Sequence, residues 1–162
     1  MLLSHRTSVK IRPEYSNIIG HMCYAASKLW NICNYERRHY KELGMEKYRD
    51  CYYQKKAHKG DLWYRQLPSQ TAQEICKQLD KAWRSFYVLK KTGGIKDPNP
   101  PRFKQDNIPV TYMQMGIRHE KGSDQLRLSL PKDLKSYMEE TYGICEKFLY
   151  LENKILVVAA ML

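Results

Sequence analysis

The sequence predicts an α+β chain in which a small antiparallel β-barrel is interrupted early by a helical insertion. Three observations carry that expectation. A short alternating segment opens the chain, helical periodicities fill residues 14–92, and strand-like alternation takes over after a Pro-rich connector at 97–101. The chain has 162 residues, 43% of them hydrophobic, which is enough for one core shared by two small lobes. The barrel is expected from residues 1–13 and 101–162, and the inserted lobe from residues 14–100.

Each element has its own signal. In residues 4–12, His5, Thr7, Val9 and Ile11 fall on one side and Arg6, Ser8, Lys10 and Arg12 on the other, a strand with a cationic outer face ended by Pro13. Residues 14–43 read as a helix, because Ile18, Met22, Ala25, Leu29 and Ile32 recur at three- and four-residue steps, with Gly44 to close it. Residues 45–66 are mixed, part helical and part loop near Lys59-Gly60-Asp61. The clearest helix runs from Pro68-Ser69 to the stop at Gly93-Gly94, with Ala72, Ile75, Cys76, Leu79, Ala82, Trp83 and Phe86 on its apolar face. Residues 110–118 and 125–130 read as two strands around a turn, and Leu126, Leu128 and Leu130 face inward. Residues 131–142 form a short helix between Pro131 and Gly143. Residues 145–151 form another strand, turned at Glu152-Asn153-Lys154, and an apolar tail follows over 155–162.

Charge limits the function classes. Lys and Arg total 28 against 17 Asp and Glu, a formal +11 that points to a polyanionic partner, nucleic acid first. The acids are scattered and form no D-x-D or D-x-G pattern for Mg²⁺, so no nuclease centre or other cofactor site is expected. Five widely spaced cysteines without a C-x-x-C pair, and five histidines without paired spacing, fit reduced thiols in a cytoplasmic protein better than disulfides or zinc. No apolar run is long enough for a signal peptide or a membrane span, and no segment joins a basic face to a wholly apolar one, so no membrane partner is expected.

The sharpest binding signal is the helix over 69–91. Lys77, Lys81, Arg84 and Lys91 share one face opposite the apolar one, where they can neutralise several phosphates. Ser69, Gln70 and Gln73 at its start can meet base edges, glutamine being suited to adenine. Tyrosines and tryptophans interleaved with bases over 35–64 can stack on unpaired nucleotides. Pro101-Arg102-Phe103-Lys104 sets two cations around a ring just after a rigid segment.

Leu67-Pro68-Ser69-Gln70, Leu79-Asp80-Lys81-Ala82-Trp83-Arg84-Ser85-Phe86-Tyr87, Pro101-Arg102-Phe103-Lys104 and the segment Tyr112-Met113-Gln114 occur in an order that resembles the N-terminal half of the TnpB/OrfB family. These are transposon-encoded RNA-guided DNA nucleases related to compact type V CRISPR effectors. With the opening strand and first helix, the resemblance spans most of residues 1–150. It implies a wedge-type barrel with an inserted recognition lobe that grips guide RNA and its heteroduplex and reads a short motif beside the target in double-stranded DNA. It also implies that Gln73 reads that motif and that Tyr112 and Gln114 are among the nucleic-acid-binding residues; Ser69 falls where some relatives carry Lys.

The family continues into a RuvC-like nuclease domain and usually a zinc ribbon, and neither motif is present in these 162 residues. The expectation is therefore a truncated, split or decayed copy, or a short form, that binds without cutting. An alternative is an interaction subunit that completes a separately encoded nuclease half through an apolar edge over residues 145–162.

Overall fold

A helix with one apolar stripe is stable only when that stripe is covered, and two of the helices here cover each other. The computed structural model describes residues 6–152. Its helices are α1 (Tyr15–Arg38), α2 (Cys51–Ala57), α3 (Leu62–Arg65), α4 (Ser69–Thr92) and α5 (Lys132–Tyr142), and its strands are β1 (Ile117–His119), β2 (Gln125–Ser129) and β3 (Phe148–Glu152). Helix α1 packs on α4, with Ile18, Met22, Ala25, Leu29 and Cys33 buried from one and Ala72, Ile75, Cys76, Leu79 and Trp83 from the other. Helix α4 stops where its sequence says it must, at Gly93 with φ 67°, a left-handed conformation that glycine adopts without a Cβ clash.

The strands form one antiparallel sheet in the order β1-β2-β3. Leu126, Leu128 and Leu149 are buried on it, and Leu130, Leu134 and Met138 continue the same core onto α5. The α+β class is as expected. Among the described residues the sheet is open and three-stranded, and a single bridge extends it. Lys10 exchanges both backbone hydrogen bonds with Glu152, at 3.1 and 3.0 Å, so the N-terminal segment lies antiparallel to the end of β3.

Three sequence expectations are corrected. Residues 110–118 are not one strand; a 3-10 turn at Gln114–Gly116 precedes a strand of only three residues. The physical cause is competition from side-chain bonds: the Thr71 hydroxyl on α4 donates to Thr111 O at 2.8 Å, and the Tyr112 hydroxyl donates to Ser129 O on β2 at 3.0 Å. The close approach also needs Gly116, where a Cβ would stand 3.0 Å from the Tyr112 ring. Helix α1 ends at Arg38 rather than near residue 43, and Gly44, with φ 74°, closes a separate turn. Of residues 4–12, the strand expectation survives only as the Lys10 bridge; residues 4 and 5 lie outside the described residues, as do the turn residues 153 and 154 and the tail 155–162.

An ionic network is buried where α1, α2 and α4 meet. Arg37, whose side chain is 2% exposed, donates to Asp80 Oδ1 at 2.6 Å and to Gln54 Oε1 at 3.0 Å. Asp80 also takes Arg84 Nε at 2.8 Å and the Cys51 amide at 3.3 Å. Gln54 passes the network on to Glu36, which pairs with His58 at 2.9 Å, and the other ring nitrogen of His58 meets Asp61. Truncating one member of a buried pair strands the other charge. Asp80→Ala is expected to cost about 3–5 kcal/mol, read as a fall in the urea midpoint.

The bond to Glu36, against the opposing effect of burial and with help from Asp61, pushes the His58 pKa up to about 9. Because this lies above the unfolded value near 6.5, the stabilisation is complete below about pH 6.5 and is lost as pH rises through 9. Between pH 6.5 and 10 the wild-type protein should lose up to about 3 kcal/mol more unfolding free energy than His58→Gln does.

Candidate nucleic-acid interface

Two cationic faces emerge from the packing of α1 on α4, because each helix turns its polar side away from the shared core. On α4, residues 70, 73, 77, 81, 84 and 91 lie within about 80° of one another and over about 32 Å of helix. Lys77, Lys81, Arg84 and Lys91 are all exposed. Their charges are not equally available. Lys77 faces Glu74 at 3.9 Å, and Arg84 spends Nε on Asp80. No carboxylate of the described residues comes within 4.0 Å of Lys81 or Lys91.

The start of α4 gathers the residues expected to meet bases. Ser69, Gln70, Tyr112, Met113, Met115 and Gly116 line a groove of about 230 Å³. Gln73 Nε2 donates to Ser69 Oγ at 3.3 Å, and Gln70 Nε2 points at the Met115 sulfur at 3.2 Å. Tyr112 contributes its ring to this groove, but its hydroxyl is committed to Ser129 O, and burial raises its pKa. Gln114 is exposed on the adjoining groove beside Arg118, Lys121 and Arg127.

The second face combines α1 with the segment after the Pro-rich connector. Residues 101–108 run as an extended strap along α1, fastened by side chains of the helix to backbone groups of the strap. Asn34 Nδ2 donates to Pro101 O at 2.9 Å, and Arg38 Nη2 donates to the same oxygen at 2.6 Å. Trp30 Nε1 donates to Arg102 O at 3.0 Å. Asn31 both donates to Lys104 O at 2.9 Å and accepts from Lys104 N at 2.7 Å. Asn107 Nδ2 reaches Gly20 O at 3.3 Å farther along the helix.

This strap sets Arg102, Phe103 and Lys104 beside the outward stripe of α1, which carries Tyr24, Lys28, Asn31, Tyr35 and Arg38. Arg38 lies 5.0 Å above the Phe103 ring, Lys104 Nζ 4.6 Å from Trp30, and Lys28 Nζ 4.8 Å from Tyr24. Phe103 is 41% exposed, so it does not plug the core. No carboxylate of the described residues lies within 4.0 Å of the cationic nitrogens of Lys28, Arg38, Arg102 or Lys104. Sequence reasoning found the strap residues but missed Lys28 and Arg38; their signal was the run 24, 28, 31, 35, 38, the polar complement of the apolar stripe on the same helix.

The basic residues of the N-terminal segment fare differently. Arg6 is exposed, and Lys10 stands 3.9 Å from Glu152. Arg12 is engaged by Glu146 and by the Tyr15 hydroxyl, which in turn donates to Glu146. Burial, reinforced by the bond to Glu146, pushes the Tyr15 pKa up to about 12. Arg12 therefore staples α1 to the segment before β3.

Of the remaining chemistry, His58 has both ring nitrogens engaged by carboxylates and has no lone pair facing a substrate. Among the described residues no group of His, Cys, Asp and Glu is placed to hold a metal ion, and no helix is long and apolar enough to cross a membrane. Neither protein-family models nor curated proteins give a match to this chain.

Asn31 makes two of the strap's bonds, and its loss tests the fastening. In Asn31→Ala the Lys104 amide should exchange with solvent roughly tenfold faster, in line with about 1.4 kcal/mol of lost local stability.

Proposed function

We propose that this chain is a nucleic-acid-binding module of the TnpB type, holding guide-type RNA and its heteroduplex without nuclease chemistry of its own. The observation that carries the reading is the pairing state of the cations on the α1–strap face. Lys28, Arg38, Arg102 and Lys104 stand among aromatic rings with no carboxylate of the described residues near enough to neutralise them. These cations stand at the surface rather than in the core, where a polyphosphate strand can pair with them and release its own counterions on binding.

The α4 face supports the same reading. Lys77, Lys81 and Lys91 would take phosphates along one groove, with Arg84 shared between phosphate and Asp80. At the start of α4, Gln73, Gln70 and Ser69, beside Tyr112 and Gln114, would meet the edges of a short DNA motif next to the target. In this reading the three-stranded sheet and the Lys10 bridge belong to a wedge-type barrel, with residues 14–100 as its inserted recognition lobe. The ordered motifs at 67–70, 79–87, 101–104 and 112–114 support the assignment to that type.

The purified chain should bind structured RNA with a steep salt dependence. Replacing Lys77, Lys81 and Lys91 together by Gln removes three charges and spares the Arg84–Asp80 pair. The slope of log affinity against log salt should then fall by about 2–3 with the fold intact by circular dichroism. An unchanged slope would remove α4 from the interface.

A further inference from the structure

Three exposed rings share the α1–strap face, and each has a charged or heteroaromatic partner. Tyr24, 40% exposed, lies under Lys28; Phe103, 41% exposed, lies under Arg38; and Tyr35, 50% exposed, stacks on His39 with centroids 4.2 Å apart. Rings left this open lose the benefit of burial, so their position needs a different account. A planar face backed by a cation is a platform for another flat π-system.

The geometry points to a track for an unpaired stretch of RNA, whose bases stack on Tyr24, Tyr35 and Phe103 while its phosphates lie against Lys28, Arg38, Arg102 and Lys104. This inference rests on the nucleic-acid reading above and narrows it. A duplex does not fit the rings, because its bases already cover one another's faces; its phosphates alone could use the cations. Loops and junctions of a folded RNA supply the open bases. From Tyr24 to Tyr35 the helix rises about 16 Å, roughly the span of five stacked nucleotides, within the site sizes of single-strand binders. The strap's own backbone is tied inward to α1, so the side chains of Arg102, Phe103 and Lys104 can meet a ligand without loosening it.

Binding of the full chain to a labelled 12-nucleotide RNA of mixed A and C, to the same RNA paired with its complement, and to the deoxy strand of the same sequence tests this by anisotropy across salt. The single-stranded RNA should bind more tightly than the duplex and at least as tightly as the deoxy strand. Tyr35→Ala and Phe103→Ala should each weaken single-strand binding roughly 5- to 20-fold with an unchanged salt slope and unchanged duplex binding. Lys28→Gln combined with Arg102→Gln should instead lower the slope by about 1.4. Arg38 is kept because it also holds Pro101 O.

Salt-dependent binding that favours the duplex and ignores both ring substitutions would overturn the track while leaving the nucleic-acid reading intact. Tighter binding of the deoxy strand would overturn the choice of RNA. An equal loss in Tyr52→Ala, whose 73% exposed ring stands on α2, would overturn the assignment to this face. No binding to any strand would remove both readings together.

Discussion

One buried amide joins the parts of this protein. Asn34 is fully buried on α1, accepts from the Trp83 indole on α4 at 2.9 Å, and donates to Pro101 O at the head of the strap. An amide in a dry interior is costly unless both of its ends are satisfied, and here each end fixes a different element. The angle of α4 against α1 and the course of residues 101–108 are therefore set at the same point. Both cationic faces inherit their placement from it.

The division of charge follows from the same packing. Arg37 goes inward and is compensated by Asp80 and Gln54, while Arg38, one residue on, faces out and lies over Phe103. Adjacent helical positions differ by about 100°, enough to send one guanidinium to the core and the next to solvent. The formal +11 of the chain is thus a sum over cations with different tasks. Arg12 and Arg37 hold elements together and Arg84 pairs within α4, whereas Lys28, Lys81, Lys91 and Arg102 have no carboxylate of the described residues within 4.0 Å.

Periodicity made α4, α5 and β2 legible, because each has a strong apolar pattern between residues that stop or start it: Gly93, Pro131 and Gly143 stand where expected. The segment over 110–118 misled for a physical reason. Its residues favour extended backbone, but Thr111 and Tyr112 are held by α4 and β2 through side-chain bonds that no local pattern encodes. The candidate site was half legible. Helical spacing puts Lys77, Lys81, Arg84 and Lys91 on one face, and the same spacing sets Glu74 three residues before Lys77 and Asp80 four before Arg84, a local signal that the cationic stripe read alone overlooks. The strap residues were legible but their attachment was not, because it joins positions some seventy residues apart through the side chains of Asn31, Asn34 and Trp30.

The fastening of the strap separates two kinds of hereditary change. Every bond to the strap from Asn31, Asn34, Trp30 and Arg38 ends on main-chain atoms of residues 101, 102 and 104, which any amino acid other than proline at 104 would present equally well. Substitutions at 102, 103 and 104 can therefore retune what the surface recognises while the scaffold stays in place. Substitutions on the α1 side have no such licence, so drift in ligand preference should accumulate on the strap and purifying pressure on the helix beneath it.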